Sequence, residues 1–191
     1  MQLKPGRWLP FHATQEMRVD RVEFAWRARF RVAPLLSLRV VDWYGAGDGG
    51  LEGRLWNRIP VVRARGPEVA RGEAMRYLAE LAWVPQAMIA NRELEWHGLD
   101  EDAVEVAARV GDSRVSVVLH FDSAGDIEGA SADVRPRLVG KETVKTAFRG
   151  VFGEYRELGG VRVPTTAEAS WLLPDGPFTY FRGRVTGWEA G

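Results

Sequence analysis

The feature that most constrains this chain is a two-residue periodicity. In Phe24-Ala25-Trp26-Arg27-Ala28-Arg29-Phe30-Arg31-Val32 the even positions are apolar and the odd positions are mainly arginine. Side chains alternate across a strand, so this run has one buried and one wetted face. The same alternation returns in Val104, Val106, Ala108 and Val110, and in Val115, Val117, Leu119 and Phe121.

Around these runs the chain reads as strands separated by turns. Ser37 to Tyr44 follows Pro34, and Gly45 to Gly50 turns the chain. Leu51 to Arg65 is extended again and broken near Pro60. Helix is expected once. Pro67 suits a first helical turn, and Met75, Leu78, Ala79 and Ala82, with Tyr77 and Leu81 beside them, form an apolar stripe at helical spacing. Glu73, Arg76 and Glu80 form a polar line on the same helix. Pro85 ends or kinks it, and Gln86 to Ala90 is expected to add a short second turn. Leu94–His97, Ala103–Val110, Ser113–Phe121, Ile127–Arg135, Phe148–Glu157, Val161–Leu173 and Phe178–Trp188 then read as an antiparallel meander, with Pro136 to Lys145 as a long loop.

The expected architecture is mainly β (α+β): a curved antiparallel sheet or open half-barrel packed against one or two helices. It forms one domain over residues 1–191, with strands over about 8–65, the helical segment over about 67–90 and the meander over about 93–189.

Composition removes whole classes of chemistry. Without cysteine there is no disulfide framework, thiolate metal site or cysteine nucleophile. Hydrophobic residues at 46% and charged residues at 27% exclude a disordered or collagenous chain. The formal net charge is zero, which argues against a generic polyanion binder. That zero conceals a split: residues 1–76 sum to +6 and residues 77–191 to −6. The simplest expectation places the two halves side by side in one sheet, neutralising each other; a basic binding face or a charge-matched homodimer is the alternative. No 18-residue apolar run is present and the first residues lack a secretory pattern, so the expectation is a cytoplasmic protein without a membrane span.

Familiar motifs fail on context. Gly45-x-Gly47-x-x-Gly50 matches a dinucleotide fingerprint, yet a strand-like run follows where a helix is required. Asp42, Asp48 and Glu52 do not have calcium-loop spacing. His12, His97 and His120 are scattered; His97 and His120 belong to one meander but are expected to face away from the core. Neither a metal nor a cofactor is expected.

Several stretches carry a resemblance. Gly72-Glu73-Ala74-Met75-Arg76-Tyr77-Leu78-Ala79-Glu80-Leu81-Ala82-Trp83-Val84-Pro85 resembles the helix signature of a bacterial family of uncharacterised conserved proteins. Trp8-Leu9-Pro10-Phe11-His12, Tyr155-Arg156-Glu157-Leu158-Gly159-Gly160 and Trp171-Leu172-Leu173-Pro174-Asp175-Gly176-Pro177-Phe178 are similar to it too. Members of that family begin further upstream and carry a Pro-Trp pair where this chain has Ala147-Phe148. The resemblance implies an architecture similar to the half-barrel of bacterial lipoprotein carriers, in which a curved sheet and helices enclose an apolar cavity.

Three functions compete. The favoured one is binding of an apolar or amphipathic small molecule in a cavity between sheet and helix, lined by Phe24, Trp26, Phe30, Trp43, Trp83 and Trp96. The second is an enzyme of unknown reaction using Glu73, Arg76 and Glu80, with His120 as a further candidate. The third is an interaction module, for example one binding single-stranded nucleic acid through Arg27, Arg29 and Arg31. Alternation puts the aromatic rings on the opposite face from those arginines, so bases have nothing to stack on and no nucleic-acid partner is expected.

Overall fold

A computed structural model describes residues 1–4, 6–140 and 142–190. Its strands are β1 (Gln2–Lys4), β2 (Arg7–Trp8), β3 (Phe11–Met17), β4 (Phe24–Ala33), β5 (Leu36–Gly45), β6 (Asp48–Leu55) and β7 (Ile59–Arg65). Helix α1 (Pro67–Ala79), a 3-10 turn (Leu81–Trp83) and a single turn α2 (Ala87–Ala90) follow. The rest is β8 (Glu95–Gly98), β9 (Ala103–Val110), β10 (Ser113–Phe121), β11 (Ile127–Val139), β12 (Glu142–Leu158), β13 (Val161–Leu173) and β14 (Gly176–Arg184).

Every ladder is antiparallel between sequence neighbours. β3 to β7 form one five-stranded sheet, β8 to β14 a seven-stranded sheet, and β1 pairs with β2; the sheets are not closed. The two halves of the chain therefore do not share one sheet, contrary to the charge-based expectation. The break falls at α1, which packs against β5, β6 and β7 on one side and β9, β10 and β11 on the other. A helix carrying Ala70, Ala74, Met75, Tyr77, Leu78 and Ala79 buried has apolar surface on more than one flank and fills the space between two sheets.

The helix can sit so deep because its contact points are small. A Cβ on Gly49 of β6 would lie 2.9 Å from the backbone of Ala70, and one on Gly72 would lie 3.1 Å from the carbonyl oxygen of Pro136 in β11. Pro67 opens the helix, and the Glu80 N–H bonds back to the carbonyls of Arg76 and Tyr77 at its end. Beyond it, Asn91 ties the exit loop to the helix by donating to the Tyr77 hydroxyl at 3.1 Å, while that hydroxyl donates to the Arg18 carbonyl at 2.7 Å.

Two boundaries differ from expectation. The chain reverses at Trp56 to Arg58, and Pro60 lies inside edge strand β7 opposite Arg54, where its missing N–H costs little. Pro136 to Lys145 is no long loop: Pro136 pairs with Lys145 and Val139 with Glu142, so β11 and β12 run out as one hairpin around Gly140. Lys141 is outside the described residues. Polar composition hid this hairpin because both of its faces are largely exposed.

The close approach at Gly49 yields a stability prediction. Gly49→Ala is expected to destabilise by about 1–3 kcal/mol, since the backbone of α1 must give way. Gly98→Ala, where the added methyl meets nothing within 4 Å, serves as the neutral control. Urea unfolding followed by tryptophan fluorescence measures both.

Candidate functional site

Inward alternation on β4 and β5 places Phe24, Trp26, Ala28 and Phe30 on the same face as Tyr44, Asp42, Val40 and Leu38. Among these Asp42 is the anomaly: a carboxylate on a core face, 6% exposed. A buried charge requires a partner, and α1 supplies it. Arg76 Nη1 donates to Asp42 Oδ2 at 2.6 Å, and Arg76 Nε donates to Glu80 Oε1 at 2.9 Å. Gln15 on β3 donates to Glu80 Oε2 at 2.8 Å and accepts from Arg76 Nη2 at 3.4 Å.

Aromatic rings cover the guanidiniums. Arg76 lies over Phe24 and Trp26 at 5.1 and 5.0 Å from the ring centres. A second guanidinium enters from the other sheet: Arg135 on β11 lies over Phe148 and Trp171 at 4.7 and 5.3 Å and donates to the Gly72 carbonyl from Nε and Nη2. Each stack is a cation–π contact away from bulk water, where such pairs are strongest. Phe11 of edge strand β3 meets Phe181 of edge strand β14 at 5.7 Å and also packs on Trp26 and Phe30. The Arg76 and Glu80 side chains keep 15% and 16% of their surface, so the cluster still communicates with solvent.

The electrostatics are unbalanced. Three carboxyl groups (Asp42, Glu73 and Glu80) share the interior with two guanidiniums. Burial, reinforced by the negative charge of Asp42, pushes Glu73 up to about 8 despite the opposing pull of Arg76 and Arg135. Burial likewise raises Asp42 against the pull of Arg76. Burial opposes charge on Arg76 as well, but Glu80, Asp42 and Glu73 more than offset it and hold the guanidinium fully ionised. Protonation of Glu73 lowers the negative charge that faces the two guanidiniums. Asp42 Oδ1 and Glu73 Oε2 are both buried without a hydrogen-bond partner among the described residues.

The residues singled out from sequence separate into groups. Phe24, Trp26 and Phe30 gather around Arg76, with Glu80 paired to Arg76 and Glu73 buried on the same helix. Trp43 points out of the opposite face of the five-stranded sheet and lies beneath Arg65, because odd positions of β5 face away from α1. Trp83 packs edge-on against Phe152 and donates to the Pro164 carbonyl at 3.1 Å, while its own carbonyl accepts from Trp188 Nε1 at 2.7 Å. Trp96 sits on edge strand β8, 41% exposed. His97 pairs with Glu105 and His120 with Ala103, two residues along the ladder and a strand apart, and His120 bonds Ser131 Oγ at 2.8 Å. Asp48 accepts from the Gly49 N–H and Glu52 takes arginines, so with Asp42 turned inward the three do not form a cation site. Among the described residues no group of three metal-ligating side chains converges.

Gln15, Arg135, Phe11, Phe148, Trp171 and Phe181 escaped sequence reasoning. Asp42 carried a signal, a charge at an apolar position of an alternating strand. Arg135 carried none, because the β11 ladder shifts between Ala132 and Arg135 and parity is lost there.

These features define an α+β protein of two open antiparallel sheets, wedged by one helix, with a charged cluster under aromatic cover. The chain belongs to a family of unknown function, DUF6544, whose model matches residues 1–183. Neither the curated proteins nor the solved structures yield a significant match.

The raised Glu73 sets a pH dependence. Between the ordinary value of 4.5 and about 8 the native state holds a proton that the unfolded chain releases. Stability from this group is therefore full below 4.5 and is lost as pH rises through 8. Unfolding free energy is expected to fall between pH 5 and pH 8, and Glu73→Gln to flatten most of that slope, measured by urea unfolding at several pH values. Arg76→Met, which strands Asp42 and Glu80, is expected to cost about 3–5 kcal/mol at pH 7 in the same assay.

Proposed function

We propose that this protein binds an amphipathic small molecule between its two sheets. The polar end of the ligand donates a hydrogen bond to Asp42 and exchanges one with the carboxyl of Glu73 beside Arg76 and Glu80, and its apolar part runs along Phe11, Trp26, Phe30 and Phe181. One observation carries the reading: two buried carboxyl oxygens, Asp42 Oδ1 and Glu73 Oε2, have no hydrogen-bond partner among the described residues. A buried acceptor left alone costs about 1–3 kcal/mol, and an amine or hydroxyl brought in by a ligand recovers it. Aromatic walls with a few placed polar groups are the usual make-up of a small-molecule site. The resemblance to lipoprotein-carrier half-barrels supports the same class of ligand by fold analogy. Trp43, Trp83 and Trp96 play no part in this site.

A second reading is catalytic. A carboxylic acid titrating near 8 beside an arginine is poised for general acid–base work at neutral pH. Glu73 is then the acid, Arg76 the stabiliser of negative charge, and Glu80 with Gln15 hold the guanidinium in place.

Native mass spectrometry of the purified protein, followed by solvent extraction, is the test. A co-purifying mass of a few hundred daltons is expected, reduced several-fold in Asp42→Asn and in Trp26→Ala. A protein free of adducts, whose tryptophan emission ignores dodecylamine and laurate titrations, overturns the binding proposal. Turnover of the extracted compound, lost in Glu73→Gln while binding persists, identifies the catalytic reading instead.

A further inference from the structure

The outer face of the five-stranded sheet carries an arrangement that folding alone does not favour. His12 pairs directly with Arg29, Arg29 with Arg39 and Arg39 with Arg54, so four basic residues stand in one row across β3, β4, β5 and β6. Directly opposed side chains sit about 5 Å apart, and like charges there repel. Counter-charge is scarce: Glu52 alone serves Arg54, Arg63 and Arg65 at 3.6, 3.6 and 3.2 Å, and Glu16 takes Arg27 at 3.1 Å. Arg29 and Arg39 form no ion pair among the described residues. No ion pair among those residues joins one sheet to the other; the positive and negative halves of the chain meet in the Arg76–Glu80 pair, on and next to α1. The row lines a concavity of about 450 Å³, with Thr14 and Asn57 beside His12, Arg29, Arg39 and Arg54.

Next to this row, at one end of the sheet, two hairpin tips project apolar side chains. Leu35 is 91% exposed and Trp56 is 53% exposed. They are locked together: Trp56 Nε1 donates to the Leu35 carbonyl at 2.8 Å and the Trp56 N–H to the Ser37 carbonyl at 3.0 Å. Trp56 also has a φ of 48°, a left-handed conformation that bulky residues avoid. Asn57 shares that conformation with a φ of 60°, and the Arg58 N–H donates to the Leu55 carbonyl at 2.9 Å, so the pair forms the tight turn that holds the indole at the tip. Ile59 and Val61 on the adjoining strand are half exposed.

We infer that this face docks on an anionic lipid bilayer, with Leu35 and Trp56 entering the headgroup region and His12, Arg29, Arg39 and Arg54 meeting lipid phosphates. Apolar tips with an indole, flanked by arginines, match the two layers of a bilayer surface, and each basic group adds attraction to anionic lipid. Nucleic acid fits less well. Among the described residues the one aromatic ring on the strands of this face, Trp43, is covered by Arg65 at 5.4 Å, and Trp56 at the hairpin tip is a single ring, not the series on which successive bases stack. The inference does not depend on what the interior binds.

Vesicle co-sedimentation tests it. The intact protein is expected to partition at least tenfold better onto phosphatidylcholine vesicles containing 40 mol% phosphatidylglycerol than onto pure phosphatidylcholine, and to be released by 0.5 M salt. Arg29→Gln/Arg39→Gln/Arg54→Gln, all at exposed positions, is expected to lower that partitioning on the order of a hundredfold. Leu35→Ser is expected to lower it several-fold and to reduce quenching of tryptophan by brominated acyl chains. Arg156→Gln on the other sheet changes neither. Equal partitioning onto both vesicles, or onto neither, overturns the inference. So does release by 10 mM inorganic phosphate, which marks a site for soluble anions. Preferential binding of a 20-nucleotide single strand that Leu35→Ser leaves unchanged also overturns it.

Discussion

Helix α1 is the constraint on which the rest depends. Two open sheets of five and seven strands each have an apolar face to cover, and one helix covers part of both. It can do so because small residues stand where helix and sheets meet: Gly49 against Ala70 on one side and Gly72 against Pro136 on the other. Glycine normally weakens helix and strand interiors, so its presence at both contacts marks approaches at which a Cβ would press on the facing backbone. The order of elements follows. The helix falls between the two meanders in the chain, so each meander folds as local hairpins and closes onto the same wedge.

The position of the wedge also explains the charged interior. A helix with sheets on both flanks has no fully wetted face, and the polar line Glu73, Arg76 and Glu80 is carried inside with it. Burial is then made tolerable from three directions. Asp42 on β5 and Gln15 on β3 complete the hydrogen bonds of Arg76 and Glu80, while Arg135 crosses from β11 to the Gly72 carbonyl. Aromatic rings from both sheets cover the guanidiniums, and protonation of Glu73 lowers the negative charge beside them. Such a network holds the two sheets and the helix in one register, because removing any member strands a charge.

Much of this was legible in the chain before its fold. Alternation located β4, β9 and β10 to within a residue or two, turn residues bounded β13, and helical spacing located α1 and its buried stripe. Glu73, Arg76 and Glu80 were evident as one line. The partners of that line were harder to read, since Gln15, Asp42 and Arg135 lie 65, 34 and 63 residues from Glu80, Arg76 and Gly72, their counterparts on or next to α1. Trp43 shows the limit of composition: it is as aromatic as Trp26, and a single step of strand parity sends it to the opposite face. The bulge in β11 erased parity where Arg135 turns inward.

The sequence by itself determined the local geometry: which runs alternate, where glycine and proline turn the chain, and where one helix must stand. These are short-range consequences of side-chain period and backbone sterics. Only the tertiary structure decided that the strands divide into two sheets instead of one, and that the helix faces both. It also decided which charges meet inside and which arginines are left in a row outside. Pairing between distant elements depends on packing distances and on desolvation, and neither is encoded in any window of neighbouring residues. The periodic strand Phe24–Val32 therefore has two meanings that its alternation could only announce: an aromatic face that shelters Arg76, and an arginine face without enough carboxylates to answer it.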